Sequence, residues 1–125
     1  MQRFNDHLWH DSKLRGMSVY RSDRREVVTL SVLLRQRDAP PVLVDVTFLQ
    51  SVYCSCDLDL EGKRLCSDDI ESASCNASSS WRDEIVRGHP GDSFDEYCHF
   101  NVNLIEPGGT IDVLAVDFEV RDSTR

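Results

Sequence analysis

The densest set of groups capable of chemistry in this sequence is Asp6-His7-Leu8-Trp9-His10-Asp11. His7 and His10 stand three residues apart, so a helical turn would present both imidazoles on one face. With Asp11 beside them, His7, His10 and Asp11 form a candidate first-row metal site, because imidazole and carboxylate ligands suit such ions. The set lacks the further, widely spaced His, Cys or Glu that a zinc motif adds. The preferred reading is therefore structural: Asp11 caps a turn and Trp9 anchors the terminus against the core.

The cysteines are the second constellation. Cys54-Ser55-Cys56 is followed by Cys66, Cys75 and Cys98, an odd total of five. A structural zinc site pairs closely spaced cysteines twice, and there is no second pair here. Cys54, Cys56 and Cys98 fall at apolar positions of alternating runs, where free cysteine packs as a small hydrophobe. They are expected in the core. Serines are abundant, yet there is no Gly-x-Ser-x-Gly elbow. His89 and His99 are the candidate bases, and His99 with Asn101 and Asn103 is expected to line an exposed polar stripe of the kind that binds a partner or a sugar. Gly108-Gly109 belongs to a turn and opens no helix, so phosphate-cradling loops are missing. No catalytic residue is assigned, no cofactor is expected, and the chain reads as a non-enzyme.

Charge narrows the partner. With 14 Lys and Arg against 22 Asp and Glu, the formal net charge is −8 and the pI about 4.8. Such a field repels nucleic-acid phosphates and anionic membrane surfaces and attracts a basic protein. It also serves plain solubility. The carboxylates concentrate at Asp57, Asp59, Glu61, Asp68, Asp69 and Glu71, the candidate contacts for a basic partner. No run approaches the roughly 18 apolar residues of a membrane helix. Met1–His10 carries no apolar signal region, which leads to an expected cytoplasmic location.

The elements that must position these residues are mostly strands. Val42, Val44, Val46, Phe48, Val52, Cys54, Cys56, Leu58 and Leu60 alternate with polar residues, and only Gln50 breaks the series. A period of two buries one face of a strand and wets the other. The run exceeds the usual strand of about five or six residues, so a break or bulge is expected at Leu49-Gln50-Ser51. Strands are also expected at Leu14–Tyr20, at Val28–Leu34, and in a hairpin of Cys98–Leu104 with Thr110–Val120. In the last of these, Leu114, Val116, Phe118 and Val120 share a face, and Pro107-Gly108 sits at the centre of a type II turn. Between residues 65 and 95 alternation lapses. Asp68-Asp69-Ile70 can open one short helix; Ser80, with Asp83 and Glu84 following, reads as the cap of another that Gly88 stops. The fold expected is mainly β (α+β) in one domain over 1–125. It is an antiparallel sheet of about six or seven strands, sandwich-like or single-layered, with one or two short helices inserted before the C-terminal hairpin.

The segment Trp9-His10-Asp11-Ser12-Lys13-Leu14, the two alternating strands that follow, Val46-Thr47-Phe48 and the late hairpin resemble small bacterial proteins grouped with the immunity proteins of polymorphic toxin systems. Members of that group open on a Trp, His-Asp-small segment before a strand. This chain has Ser12 where alanine is commoner, and its cysteine-rich middle is unusual. The resemblance implies neutralisation of a toxin by direct binding and transfers no catalytic residue. The leading expectation is an immunity-type protein-binding module occluding a basic toxin partner. The alternatives are a metal- or small-ligand-binding β-protein and a self-associating structural subunit, such as a homodimer.

Overall fold

The structure is a computed structural model that describes residues 3–22, 25–58, 69–91, 93–105 and 108–123. The described residues form eight antiparallel strands in two sheets of four, with one α-helix. The first sheet has the order β1 (Lys13–Ser22), β2 (Arg25–Leu34), β3 (Val42–Leu49), β8 (Asp117–Asp122). The second has the order β4 (Tyr53–Leu58), β7 (Gly109–Ala115), β6 (Cys98–Leu104), β5 (Ile70–Asn76). Of the two expected arrangements, the layered one is present, with more strands than expected.

The extra strands have identifiable causes. The long alternating run breaks at Gln50, as expected, where a φ of 55° is left-handed, and its halves enter different sheets as β3 and β4. The C-terminal run breaks likewise at Val116. The two breaks are tied together, since Val116 N–H donates to Leu49 O at 3.1 Å and Val52 N–H to Leu114 O at 2.9 Å. One strand pair thus turns a corner from sheet to sheet. Crossing it shifts the phase: the inward residues are Ile111, Val113 and Ala115 in β7 but Phe118 and Val120 in β8. Leu114, expected to share their face, is buried on the opposite one. The strand that alternation does not signal is β5. Asp69-Ile70 begins this strand rather than a helix, while Asp68 lies outside the described residues. Its serines and alanine carry little strand propensity, and it forms because β6 offers a ladder from Ile70 to Asn76.

The core lies between the sheets. Val28, Leu30, Val32, Val44, Val46 and Phe48 face Phe100, Val102, Ile111 and Val113, all 3% exposed or less. Phe4, from a 3-10 turn at Phe4–Asp6, fills one end, its ring 4.7 Å from Trp9, 5.1 Å from Phe100 and 5.2 Å from Phe118. Trp9 anchors there as expected, its Nε1–H donating to Phe4 O at 2.6 Å.

Cys54 and Cys56 depart from the expected core. They do take the inward phase, opposite Val113 and Ile111, but β4 is an edge strand beyond the cover of the first sheet, so both are exposed. Phase reports which way a side chain points. It does not report whether another layer lies above it.

Candidate functional site

The outward face of the second sheet is set by register alone. Three rows cross it from β5 to β4: Ser72, Asn103, Thr110, Asp57; Ser74, Asn101, Asp112, Ser55; and Asn76, His99, Leu114, Tyr53. The first two rows are wholly polar and built of small side chains. The third lies under α1 (Ser80–Arg87).

The helix forms where the cap allows it, one residue earlier than the expected Ser80. Ser79 is extended, with φ −160°, and its Oγ accepts Arg82 N–H at 3.0 Å, satisfying a first-turn amide. Gly88 ends the helix, as expected. Trp81 then stacks on His99, ring centroids 4.4 Å apart. Arg82 reaches back to Phe94 O at 2.6 Å and Tyr97 O at 3.0 Å. At the far end His89 Nε2 meets the Tyr53 hydroxyl at 2.8 Å. Leu114, fully buried, fills the space beneath.

His99 is the hinge of this arrangement. It is 8% exposed, against the exposed stripe expected of it, because the helix covers its row. Its Nε2 lies 2.6 Å from Asp112 Oδ1 and its Nδ1 2.8 Å from Ser79 Oγ. A tautomer carrying Nε2–H satisfies every group: Asp112 accepts from Nε2, Ser79 donates to Nδ1, and Ser79 still accepts from Arg82. The chain continues outward. Asn101 donates to Asp112 at 2.8 Å, Asn103 to Asn101 at 2.7 Å, and Asn103 to Ser72 at 3.1 Å. Six side chains thereby link the helix cap to the sheet edge.

Ser79, His99 and Asp112 have the connectivity of a nucleophile, base and carboxylate. The surroundings suit fastening instead. Ser79 Oγ is engaged as a helix cap, and Trp81 covers the imidazole. The network holds α1 on the sheet. Sequence alone placed His99 and Asn101 on one strand face; it could not bring Ser79 and Asp112 to them, because that needs the register of two further elements.

The described acidic candidates, Asp57, Asp69 and Glu71, lie at one end of the same sheet. Ile70, Leu104, Gly109 and Leu58 form its last row, so the end of β4 and the start of β5 are at the same end of the sheet, on its two edges. Asp57 and Glu71 are exposed there. Asp69 is half-buried and ion-paired with Lys13, which also bridges β1 to Asp69. Asp59, Glu61 and Asp68 lie outside the described residues. With strands about 4.8 Å apart, the two edges of a four-stranded sheet stand roughly 14 Å apart. Asp57 and Glu71 therefore flank the end of the sheet.

The metal candidates are used differently. Asp11, with φ 68°, donates its N–H to Ile70 O at 2.9 Å, and Ser12 O accepts Ile70 N–H at 2.7 Å. His10 Nδ1 lies 2.9 Å from Glu71 O. Ser12 Oγ donates to Leu8 O at 2.7 Å and accepts Arg35 N–H at 2.8 Å. The His10-Asp11-Ser12 segment is thus a joint between the sheets. His7 sits apart, against Trp9 and Phe118, and burial lowers its pKa from 6.5. Among the described residues no group of three or more His, Cys, Asp or Glu is placed to hold a metal ion.

Cys75 and Cys98 meet near Phe4 at the core's end. Burial and the neighbouring Cys98 thiol push Cys75 up to about 12, which favours its protonated form at neutral pH. Asn5 caps the edge beside it, accepting Cys75 N–H at 2.7 Å. No helix among the described residues is long and apolar enough to cross a membrane.

Comparison of the chain with models of known families, with curated proteins and with solved structures finds no match.

Proposed function

We propose that this protein is a non-enzymatic protein-binding module, an immunity-type inhibitor that acts in the cytoplasm by seating its acidic sheet end on a basic toxin and occluding it. The observation that supports the reading is that Asp57 and Glu71, both exposed, stand on the two edges of the second sheet at the same end. A net charge of −8 extends that attraction beyond contact distance. The histidine that sequence nominates as a base is held between Ser79 and Asp112 and stacked by Trp81, which suits a rigid recognition surface better than a reacting one. The two uncovered polar rows, presenting hydroxyls, amides and carboxylates on a rigid ladder, supply hydrogen-bonding groups beside the charge.

The test is affinity capture from the source cell's lysate at low and high salt, followed by co-expression. The reading expects a basic polypeptide that elutes with salt, arrests growth when expressed alone and is tolerated when this protein is co-expressed. Asp57→Lys with Glu71→Lys should abolish the protection. Protection that survives the double reversal, or a captured partner without toxicity, contradicts it.

A further inference from the structure

β8 is one of the two edge strands of the first sheet, and its backbone is arranged to receive another strand. Ser123 N–H donates to Leu43 O at 2.9 Å, so in this antiparallel ladder the odd-numbered residues of β8 pair with β3. Hydrogen-bonded and non-hydrogen-bonded pairs alternate. The backbone groups of Phe118, Val120 and Asp122 therefore point away from β3. Phe118 N–H turns to its neighbour's carboxylate, Asp117 Oδ1, at 2.8 Å. Beside this edge runs a groove of about 580 Å³ whose floor is Leu34, Val42, Val44, Phe118 and Val120, with His7 as one wall. The opposite phase of β8 carries charge: Asp117, Glu119 and Arg121 point outward, and Asp122 follows at the strand's end. Arg121 is drawn to Glu119 at 3.0 Å, leaving the rim with three carboxylates against one guanidinium.

We propose that β8 and its groove dock an extended segment of another protein in which apolar residues alternate with lysine or arginine, added as a fifth strand. The reasoning is one of matched periods. A strand laid on β8 sends every second side chain into the groove and the others toward Asp117 and Glu119. Apolar residues suit the first set and cations the second. The outward amides and carbonyls call for a polypeptide rather than an acyl chain, which offers no hydrogen bonds. A second copy of this chain is disfavoured by charge, since it brings a net −8 and a rim of the same sign. This surface is separate from the acidic end of the second sheet, and the proposal stands independently of that reading.

The test uses the full chain labelled with ¹⁵N and two seven-residue peptides, alternating Lys-Val and alternating Glu-Val, followed by amide shifts and hydrogen exchange. The Lys-Val peptide should shift residues 117–123, protect the Val120 and Asp122 amides and bind about tenfold tighter than the Glu-Val peptide. Val120→Pro removes an outward donor while leaving the pairs of Glu119 and Arg121 with β3, a position where an edge strand tolerates proline. It should abolish binding. Glu119→Lys, which keeps the backbone intact, should erase the preference for the cationic peptide and serves if the proline variant unfolds. Shifts centred elsewhere, equal affinity for the two peptides, or β8 shifts that depend on protein concentration without peptide would each overturn the proposal, the last in favour of a second copy. The double reversal at Asp57 and Glu71 should leave peptide binding unchanged.

Discussion

Ser79 is the residue on which the covered third of the outer face depends. Its hydroxyl caps the start of the helix and holds the imidazole of His99 at once. Ser79→Ala should lower stability in urea by about 1–2 kcal/mol, the cost of a lost cap with a partner left unpaired. Ser79→Thr should retain most of it. A loss within about 0.5 kcal/mol, the range of a neutral surface change, would contradict the network. His7 gives a second, pH-dependent prediction. Burial lowers its pKa from 6.5 in the folded state, so the unfolded chain binds the proton more readily. Stability then rises with pH through the window just below 6.5 and falls as pH drops through it. The difference in urea midpoint between pH 7 and pH 5 should be smaller in His7→Gln than in the wild type; an unchanged or larger difference contradicts the assignment. Neither role is written in the residue itself. Ser79 looks like any serine of the Ser78-Ser79-Ser80 run until the helix start is known, and Asp112 looks like one polar residue in an alternating strand until β6 is set beside it.

At the scale of the element, the strands were the legible part and their joints were not. Val44–Phe48 and Val28–Leu34 bury the residues their alternation names, with Val42 half-buried, because β2 and β3 are the interior strands of their sheet. The same rule misplaces Cys54 and Cys56 at an edge. It also misplaces Leu114, whose outward face is covered by a helix that periodicity of the strand cannot report. The pairing of Cys98–Leu104 with the strand after the turn matches the expectation, and the turn closes one residue earlier than expected. Gly108 N–H closes on Ile105 O at 2.8 Å, while the Glu106 and Pro107 of the expected turn lie outside the described residues. The left-handed residue is Gly109, with φ +105°, and a Cβ there would stand 1.9 Å from the carbonyl oxygen of Asp57. Gly109→Ala should therefore destabilise the protein by about 3 kcal/mol, combining backbone strain with a steric clash. Hydrogen exchange should quicken first across Tyr53–Leu58, the strand pushed away. Uniform loss of protection, or none, would show that this close approach does not hold β4 in place.

At the scale of the whole molecule, two corners make one body of the two sheets. One is the turn at Gln50 and Val116; the other is the stitch of Asp11 and Ser12 to Ile70. The segment His10-Asp11-Ser12, which includes two of the three candidate metal ligands, is informative because it builds the second corner. Chemistry-bearing residue types there are spent on backbone geometry, which composition cannot distinguish from a site. The acidic stretch was legible as charge, and the fold adds its placement: Asp57 and Glu71 at the end of one sheet, Asp69 already balanced by Lys13. Electrostatic seating on a basic partner has a kinetic signature, since attraction between separated charges speeds encounter and is screened by salt. The most direct measurement is therefore the association rate with the captured partner at low and physiological ionic strength, for the wild type and for Asp57→Lys with Glu71→Lys. The wild type should associate roughly tenfold or more faster at low salt, and the reversed variant should be slow with a much flatter salt dependence. Equal rates and equal salt slopes for the two proteins would contradict the account.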